Sequence, residues 1–216
     1  MKEKIILIGT SEHAQMIIEN IEDQARFQLF GFTTNRQEEV GKTILGYKVV
    51  CLDEEIPSLL RENKDIVGYF LGVGVVNGMK YRWKIIQELD KWLPAVNIIH
   101  PSSQVSKYST MGVGNILEGF TKVANGVVMG SHCIVNSFTA VNHGQIIGDN
   151  VLLAGSVSLA GKRIGSHTII ADGASIAFKK SVGTNCIIGD GAVVTSDIPD
   201  NSIAYGNPAR IIRKNE

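Results

Sequence analysis

Two short stretches of this chain hold residues that could do chemistry. The first is AVNHGQIIGDN at positions 140–150, where His143 stands among small and apolar residues, with no acid beside it and no cysteine in reach. Imidazole is the side chain whose ordinary pKa lets it take up or release a proton near neutral pH. Such a histidine is either an inert surface residue or a proton acceptor. The second stretch is Gly9-Thr10-Ser11-Glu12-His13, which follows the aliphatic run Lys4–Ile8 and precedes a segment with Ile17, Ile18 and Ile21 at helical spacing. A turn between a strand and a helix offers the helix's free amides to an anion, so phosphate binding is expected there. His13 would add a donor, and Glu12 carries charge of the wrong sign.

The elements that position His143 are set by a repeat. Stepping by six from Ile99 gives Val105, Met111, Leu117, Val123, Met129, Val135, Val141, Ile147, Leu153 and Leu159, all aliphatic. The step shortens once to five and resumes at Ile164, Ile170, Ile176, Val182, Ile188 and Val194. Small residues recur at the next place, among them Gly112, Ala124, Gly130, Gly148, Gly165 and Gly189. One inward aliphatic and one cramped corner per six residues describe a triangular coil of three short strands stacked on the next coil. Gly161 lies eighteen residues beyond His143, with the same offset from Leu159 as His143 has from Val141. Its amide is therefore expected one rung away, at roughly the strand spacing of ~4.8 Å. Cys133 and Cys186 both fall two places before a hexad aliphatic, which makes them packing residues.

Residues 1 to about 94 lack the hexad. Lys4–Ile8, Leu29–Phe32, Lys48–Cys51 and Tyr69–Val73 read as short strands, and Ala14–Ile21 and Tyr81–Trp92 as amphipathic helices. A small Rossmann-like α/β domain with a parallel sheet follows for residues 1–94, with a β-helix domain and its C-terminal cap in 95–216. Lys plus Arg equals Asp plus Glu, at 21 each in 216 residues, which favours neither nucleic acid nor a membrane surface. The N-terminal aliphatic run is too short for a leader or a membrane span, and three cysteines without CxxC spacing signal neither a disulfide framework nor a metal site. A reducing cytoplasm is the expected location.

The pattern resembles the hexapeptide-repeat acyltransferases, whose β-helix is left-handed, and the tail from Asp197 to Arg210 fits their DIPxxxxxxGxPAR ending. The order of domains, with Gly9, His13 and Ala14 at the first turn and Asn97-Ile-Ile-His-Pro-Ser102 leading into the coils, is similar to the sugar O-acyltransferase family. That family includes sialic acid O-acetyltransferases and nucleotide-linked amino-sugar N-acetyltransferases. The resemblance implies acetyl-CoA as cosubstrate, no metal, a homotrimer, and a UDP- or dTDP-linked amino sugar as acceptor. It makes His143 the general base, at the histidine of the family's VEHDxxIG segment, although Asn142 and Gly144 replace the usual flanking acids. A backbone carbonyl or Asn142 would then have to orient the ring. It makes the Gly161 amide the oxyanion donor and runs the CoA arm past Gly161, Gly173, Ala174, Gly191 and Ala192. Gly9, Thr10, Ser11, His13 and Asn35 would hold the nucleotide part. The family's glycine-rich GAGGHA turn reads GTSEHA here, and its acidic pair after the second strand is replaced by Thr33-Thr34-Asn35, which could still bond a pyrimidine edge.

Transfer to a hydroxyl, as in O-acetylation of sialic acid or a related glycan, would use the same base and donor. A non-enzymatic β-helix scaffold would need neither. A γ-class carbonic anhydrase would need a closely spaced histidine pair that His132, His143 and His167 do not supply. A sugar nucleotidyltransferase would need a larger N-terminal domain with a basic glycine-rich loop.

Overall fold

The computed structural model describes residues 2–75 and 78–216. The chain divides into two compact units, residues 1–98 and 99–216.

The first unit is a five-stranded sheet in the order β3-β4-β2-β1-β5. Its strands are β1 (Glu3–Ile8), β2 (Phe27–Thr34), β3 (Thr43–Ile44), β4 (Tyr47–Leu52) and β5 (Ile66–Leu71). All pairings are parallel except that of β3 with β4. Helix α1 (Glu12–Asp23) buries Ala14, Ile17, Ile18 and Ile21, as its spacing requires, and Ser11 caps it by accepting the Ala14 amide at 3.3 Å. Helix α2 (Ile56–Glu62), a short element outside the sequence reading, enters through Pro57, and α3 (Met79–Leu89) follows β5. The last strand ends at Leu71, before the expected Val73. A Cβ on Gly72 would stand 2.6 Å from that of Ala14, so the chain leaves the sheet where α1 presses closest. That close approach sets the start of α1 against the carboxyl end of β1.

The second unit is a left-handed parallel β-helix of two-residue strands on three sides. The first side stacks Gln104–Val105, Lys122–Val123, Ala140–Val141, Ser158–Leu159, Ser175–Ile176 and Val193–Val194. Each hexad aliphatic is the second residue of its strand and pairs with the hexad aliphatic of the next coil, as Val141 does with Leu159 and Ile147 with Ile164. From Leu117 to Val194 every one of them is buried in a single core cluster, whereas Val105, in the first coil, is 37% exposed. Cys133 and Cys186 are buried in the same cluster. Most corners carry a left-handed residue three places after the aliphatic, whereas the shortened corner at 160–162 has none. Phe120, Phe138, Ser156, Gly173 and Gly191 serve one corner, and His132, Asn150, His167 and Asn185 another. The tail forms strands Ser202–Tyr205 and Arg210–Lys214, an antiparallel pair added to the third side, with Ala204 and Ala209 in the core.

Candidate active site

His143 lies on the corner between the first and second sides of the β-helix, where Asn142, His143, Gly144 and Gln145 join the strand Ala140–Val141 to Ile146–Ile147. The turn is held by bonds that avoid the imidazole. Asn142 donates its amide to Leu159 O at 3.1 Å, Gly144 donates to Asn125 O at 3.0 Å, and the buried Gln145 side chain donates to Leu159 O. The offset of two from an inward valine turns His143 outward, and it is exposed. Its ring makes no hydrogen bond among the described residues, so neither Asn142 nor a backbone carbonyl of the chain orients it.

One rung on, the equivalent corner has lost a residue and contains Ala160, Gly161 and Lys162 alone. Ala160 donates its amide to Ile176 O at 3.0 Å and Lys162 donates to Lys180 O at 2.7 Å. Between them the Gly161 amide has no acceptor among the described residues. A Cβ at Gly161 would meet Lys180 O at 2.5 Å and Ile176 Cγ2 at 2.8 Å, so the shortened corner itself demands glycine. An exposed imidazole and an unpaired N–H therefore stand on the same corner of adjoining coils. That arrangement can accept one proton and donate one hydrogen bond to developing negative charge.

The remaining coil histidines do other work. His132 is buried at φ 60° and His167 stands at the same φ with its Nδ1 3.1 Å from Asn150 Nδ2. Both hold left-handed turns on a different corner. Of the expected CoA residues, Gly161 lies on the His143 corner and the other four do not. Gly173 and Gly191 occupy the corner between the third and first sides, and Ala174 and Ala192 are packed in the core. Gly161 is second after its aliphatic Leu159, but Gly173 is third after Ile170, whose strand belongs to another side. The residues that continue the His143–Gly161 corner are Phe178, Lys179 and Lys180, then Thr195 and Ser196.

In the first unit a cavity of about 450 Å³ opens at the carboxyl ends of the parallel strands, within the range of small-molecule sites. Gly9, Thr10, Ser11 and Asn35 line it, as the sequence suggests, together with Asp53 and Tyr81. Gly9 needs its φ of 93° there, close against Val73. The Ser11 hydroxyl is engaged in the chain, donating to Gly72 O at 3.0 Å. The Thr10 and Thr34 hydroxyls donate to Glu39 Oε2 at 2.5 and 2.6 Å, and these bonds hold the Glu39 carboxyl below the ordinary range. Arg36 pairs with the other oxygen at 3.0 Å. Burial pushes the Asp53 carboxyl up, against a 2.5 Å bond from Thr33 Oγ1 that pulls it down.

His13 is not a wall of this cavity. Its Nε2 is buried without a partner, and burial, followed by the charge of Arg82, lowers its pKa to about 4. A neutral, enclosed ring does not add positive charge for a phosphate. Sequence reasoning looked for an acid after the second strand and missed Glu39 and Asp53. The available signal was an acid directly after a third strand, since ligands of open α/β sheets bind beyond the strands' carboxyl ends. Among the described residues no group of three or more His, Cys, Asp or Glu side chains is placed to hold a metal, and no helix is long and apolar enough to cross a membrane.

The hexad coils are similar to those of the hexapeptide-repeat acyltransferases. Residues 4–89 match the family model of the PglD N-terminal domain. The fold of the whole chain is similar to that of sugar acetyltransferases of known structure. It is 26% identical to PerB from Caulobacter crescentus, solved in complex with CoA and GDP-perosamine, over 97% of each chain at a TM-score of 0.87. The acetyltransferase domain of PglB from Neisseria gonorrhoeae, solved with acetyl coenzyme A, shares its fold at 24% identity, over 98% of this chain and all of that one, with a TM-score of 0.86. WeeI from Acinetobacter baumannii shares the fold at 22% identity and a TM-score of 0.69, over 97% of this chain and 100% of that one. A comparison with curated protein sequences finds no match.

Proposed function

We propose that this protein transfers the acetyl group of acetyl-CoA directly to the amine of a nucleotide-linked amino sugar. The observation that carries the reading is the pairing, on one corner of adjoining coils, of an exposed His143 with a Gly161 amide that has no acceptor among the described residues. As the sugar nitrogen attacks the thioester carbon, His143 takes its proton and the Gly161 N–H donates to the carbonyl oxygen, which becomes an oxyanion. The carbon–sulfur bond then breaks and the thiol leaves, so no serine or cysteine carries the acetyl group. Buried Cys133 and Cys186 take no part. PerB, solved in complex with CoA and GDP-perosamine, supports this donor and this class of acceptor. A mutant of that enzyme in which one histidine is alanine was solved in complex with both molecules, which suits a base that is not a binding residue.

Residues 1–94 hold the nucleotide in this reading, through the cavity at Gly9, Thr10, Ser11 and Asn35, while residues 95–216 carry acetyl transfer. The active form is a homotrimer. His143 lacks an orienting partner among the described residues, and one corner gives the CoA arm a single wall. The open corner at Gly173 and Gly191 supplies the second wall from a neighbouring copy. Phe120 and Phe138 continue that corner as stacked rings 5.2 Å apart, each nearly two-thirds exposed, as suits a surface covered in an assembly.

The test is release of free thiol from acetyl-CoA across a panel of nucleotide-linked amino sugars and matching hydroxyl sugars. Thiol release that requires the amine supports the proposal. Release that requires a hydroxyl instead would establish O-acetylation, and release independent of any sugar would remove the transferase reading.

A further inference from the structure

The cavity of the first unit has an acidic side, and the arginine in its wall, Arg36, is already paired with Glu39. Asp53 stands just beyond β4, and its Oδ1 accepts the Thr33 hydroxyl at 2.5 Å, which fixes the plane of the carboxylate. Among the described residues no lysine, arginine or histidine pairs with it, and Arg36 is engaged by Glu39. Asp53 also borders a second cavity of about 290 Å³, where Asn35, Gln37 and Glu54 surround it. The Asn35 and Gln37 amides make no hydrogen bond within the chain. An unpaired carboxylate flanked by free amides calls for a ligand edge rich in donors.

The position of that edge follows from the sheet. Phosphate is disfavoured beside Asp53 and finds free helix amides at the first turn, at the end of β1, where Glu39 already holds the Thr10 hydroxyl. β4 lies two strands away through β2, a span of about 10 Å. That is the reach of a ribose and base from the phosphate they carry, so Asp53 faces the base or the sugar ring next to it.

Among the common bases, guanine presents two adjacent donors, N1–H and N2–H, beside the acceptor O6. A carboxylate takes such a pair bidentately, and an amide N–H can donate to O6. Uracil and thymine have one N–H between two carbonyls, which sets a carbonyl oxygen against the carboxylate. Cytosine and adenine place a ring acceptor beside their amino group. Building on the proposed nucleotide-sugar reading, we infer that the acceptor is a guanosine diphosphate sugar, with Asp53 as the residue that selects guanine and Asn35 beside it as the donor to O6. This departs from the uridine or thymidine expected from sequence.

The inference is tested by titrating the full chain calorimetrically with GDP, inosine diphosphate, 2′-deoxy-GDP, UDP and dTDP, then repeating the series on Asp53→Asn after its melting temperature shows it folded. Inosine diphosphate lacks only the 2-amino group, so the wild-type comparison needs no variant. GDP should bind at least about tenfold tighter than inosine diphosphate, the usual worth of a hydrogen bond to a charged group, and tighter still than UDP or dTDP. In Asp53→Asn the ratio of GDP to inosine diphosphate should collapse to within about twofold. Equal wild-type affinities for that pair, or tighter UDP binding, would overturn the choice of guanine while leaving the nucleotide-sugar reading standing. Equal weakening of GDP, inosine diphosphate and UDP by Asp53→Asn, with 2′-deoxy-GDP as weak in wild type, would move Asp53 to the ribose and overturn it as well. Binding of none of the five would remove the nucleotide-sugar reading itself.

Discussion

Replacing Gly161 with alanine tests the oxyanion proposal through a contact that the fold cannot absorb for free. The new Cβ would sit 2.5 Å from Lys180 O and 2.8 Å from Ile176 Cγ2. Carbon and carbonyl oxygen in ordinary contact are nearly 1 Å further apart, so something must move. The Ile176 side chain can shift, but Lys180 O accepts the Lys162 amide at 2.7 Å and is fixed by the next coil. The remaining freedom is the Gly161 peptide, and its rotation swings away the N–H assigned to the oxyanion. Overpacking of this kind costs about 1–3 kcal/mol, a drop of several degrees in melting temperature for a chain of this size. Loss of an aimed oxyanion donor costs about 10²- to 10³-fold in kcat. The assay is steady-state thiol release, run well below the variant's melting temperature, alongside calorimetric titration with acetyl-CoA. The expected result is a folded variant that binds acetyl-CoA within a few-fold of wild type and has lost about two to three orders of magnitude in kcat. A folded Gly161→Ala that keeps more than a third of wild-type kcat would refute the assignment. So would an activity loss matched by equal loss of acetyl-CoA binding.

His143→Ala should keep its melting temperature and acetyl-CoA affinity while kcat falls about 10²- to 10⁴-fold; an exposed side chain without intramolecular bonds has little stability to lose, and retention of a third of the activity would exclude it as the base. Light scattering should give three chain masses for the active enzyme, and a fully active monomer would sink the shared-groove argument. Ser11→Glu should raise the acceptor's KM and leave that of acetyl-CoA unchanged, because it adds negative charge at the turn expected to hold phosphate; parallel changes in both would place the acceptor elsewhere. His13 titrates at about 4 in the fold, below the 6.5 of an unperturbed ring, so between those values the unfolded chain holds a proton that the folded one does not. Stability is therefore untouched above pH 6.5 and falls as pH drops towards 4, by at most about 3 kcal/mol. Thermal melts of wild type and His13→Leu should converge on acidification if this holds, and an unchanged gap from pH 7 to 4.5 would disprove it.

Much of the β-helix was open to sequence reading because its order is local and repeated. Three hexads close a coil, so Val141 must stack on Leu159 whatever the rest of the chain does, and a residue two places on must turn outward. The exposure of His143 follows from that arithmetic, and the single five-residue step marks the shortened corner at Gly161. The same arithmetic separates Gly173 and Gly191 from that corner by one side of the triangle, a distinction lost when they are read as small residues alone. What the period does not contain is the partner of each amide. That Gly161 N–H is unpaired while Ala160 and Lys162 are satisfied depends on where Ile176 O and Lys180 O fall after the deletion. In the first unit the order β3-β4-β2-β1-β5 joins strands far apart in sequence, and only that order carries Asp53 to the cavity that begins at Gly9. Tertiary packing likewise turned His13 from a presumed phosphate donor into a neutral buried ring, because the titration of an imidazole is set by what surrounds it rather than by the residues beside it in the chain.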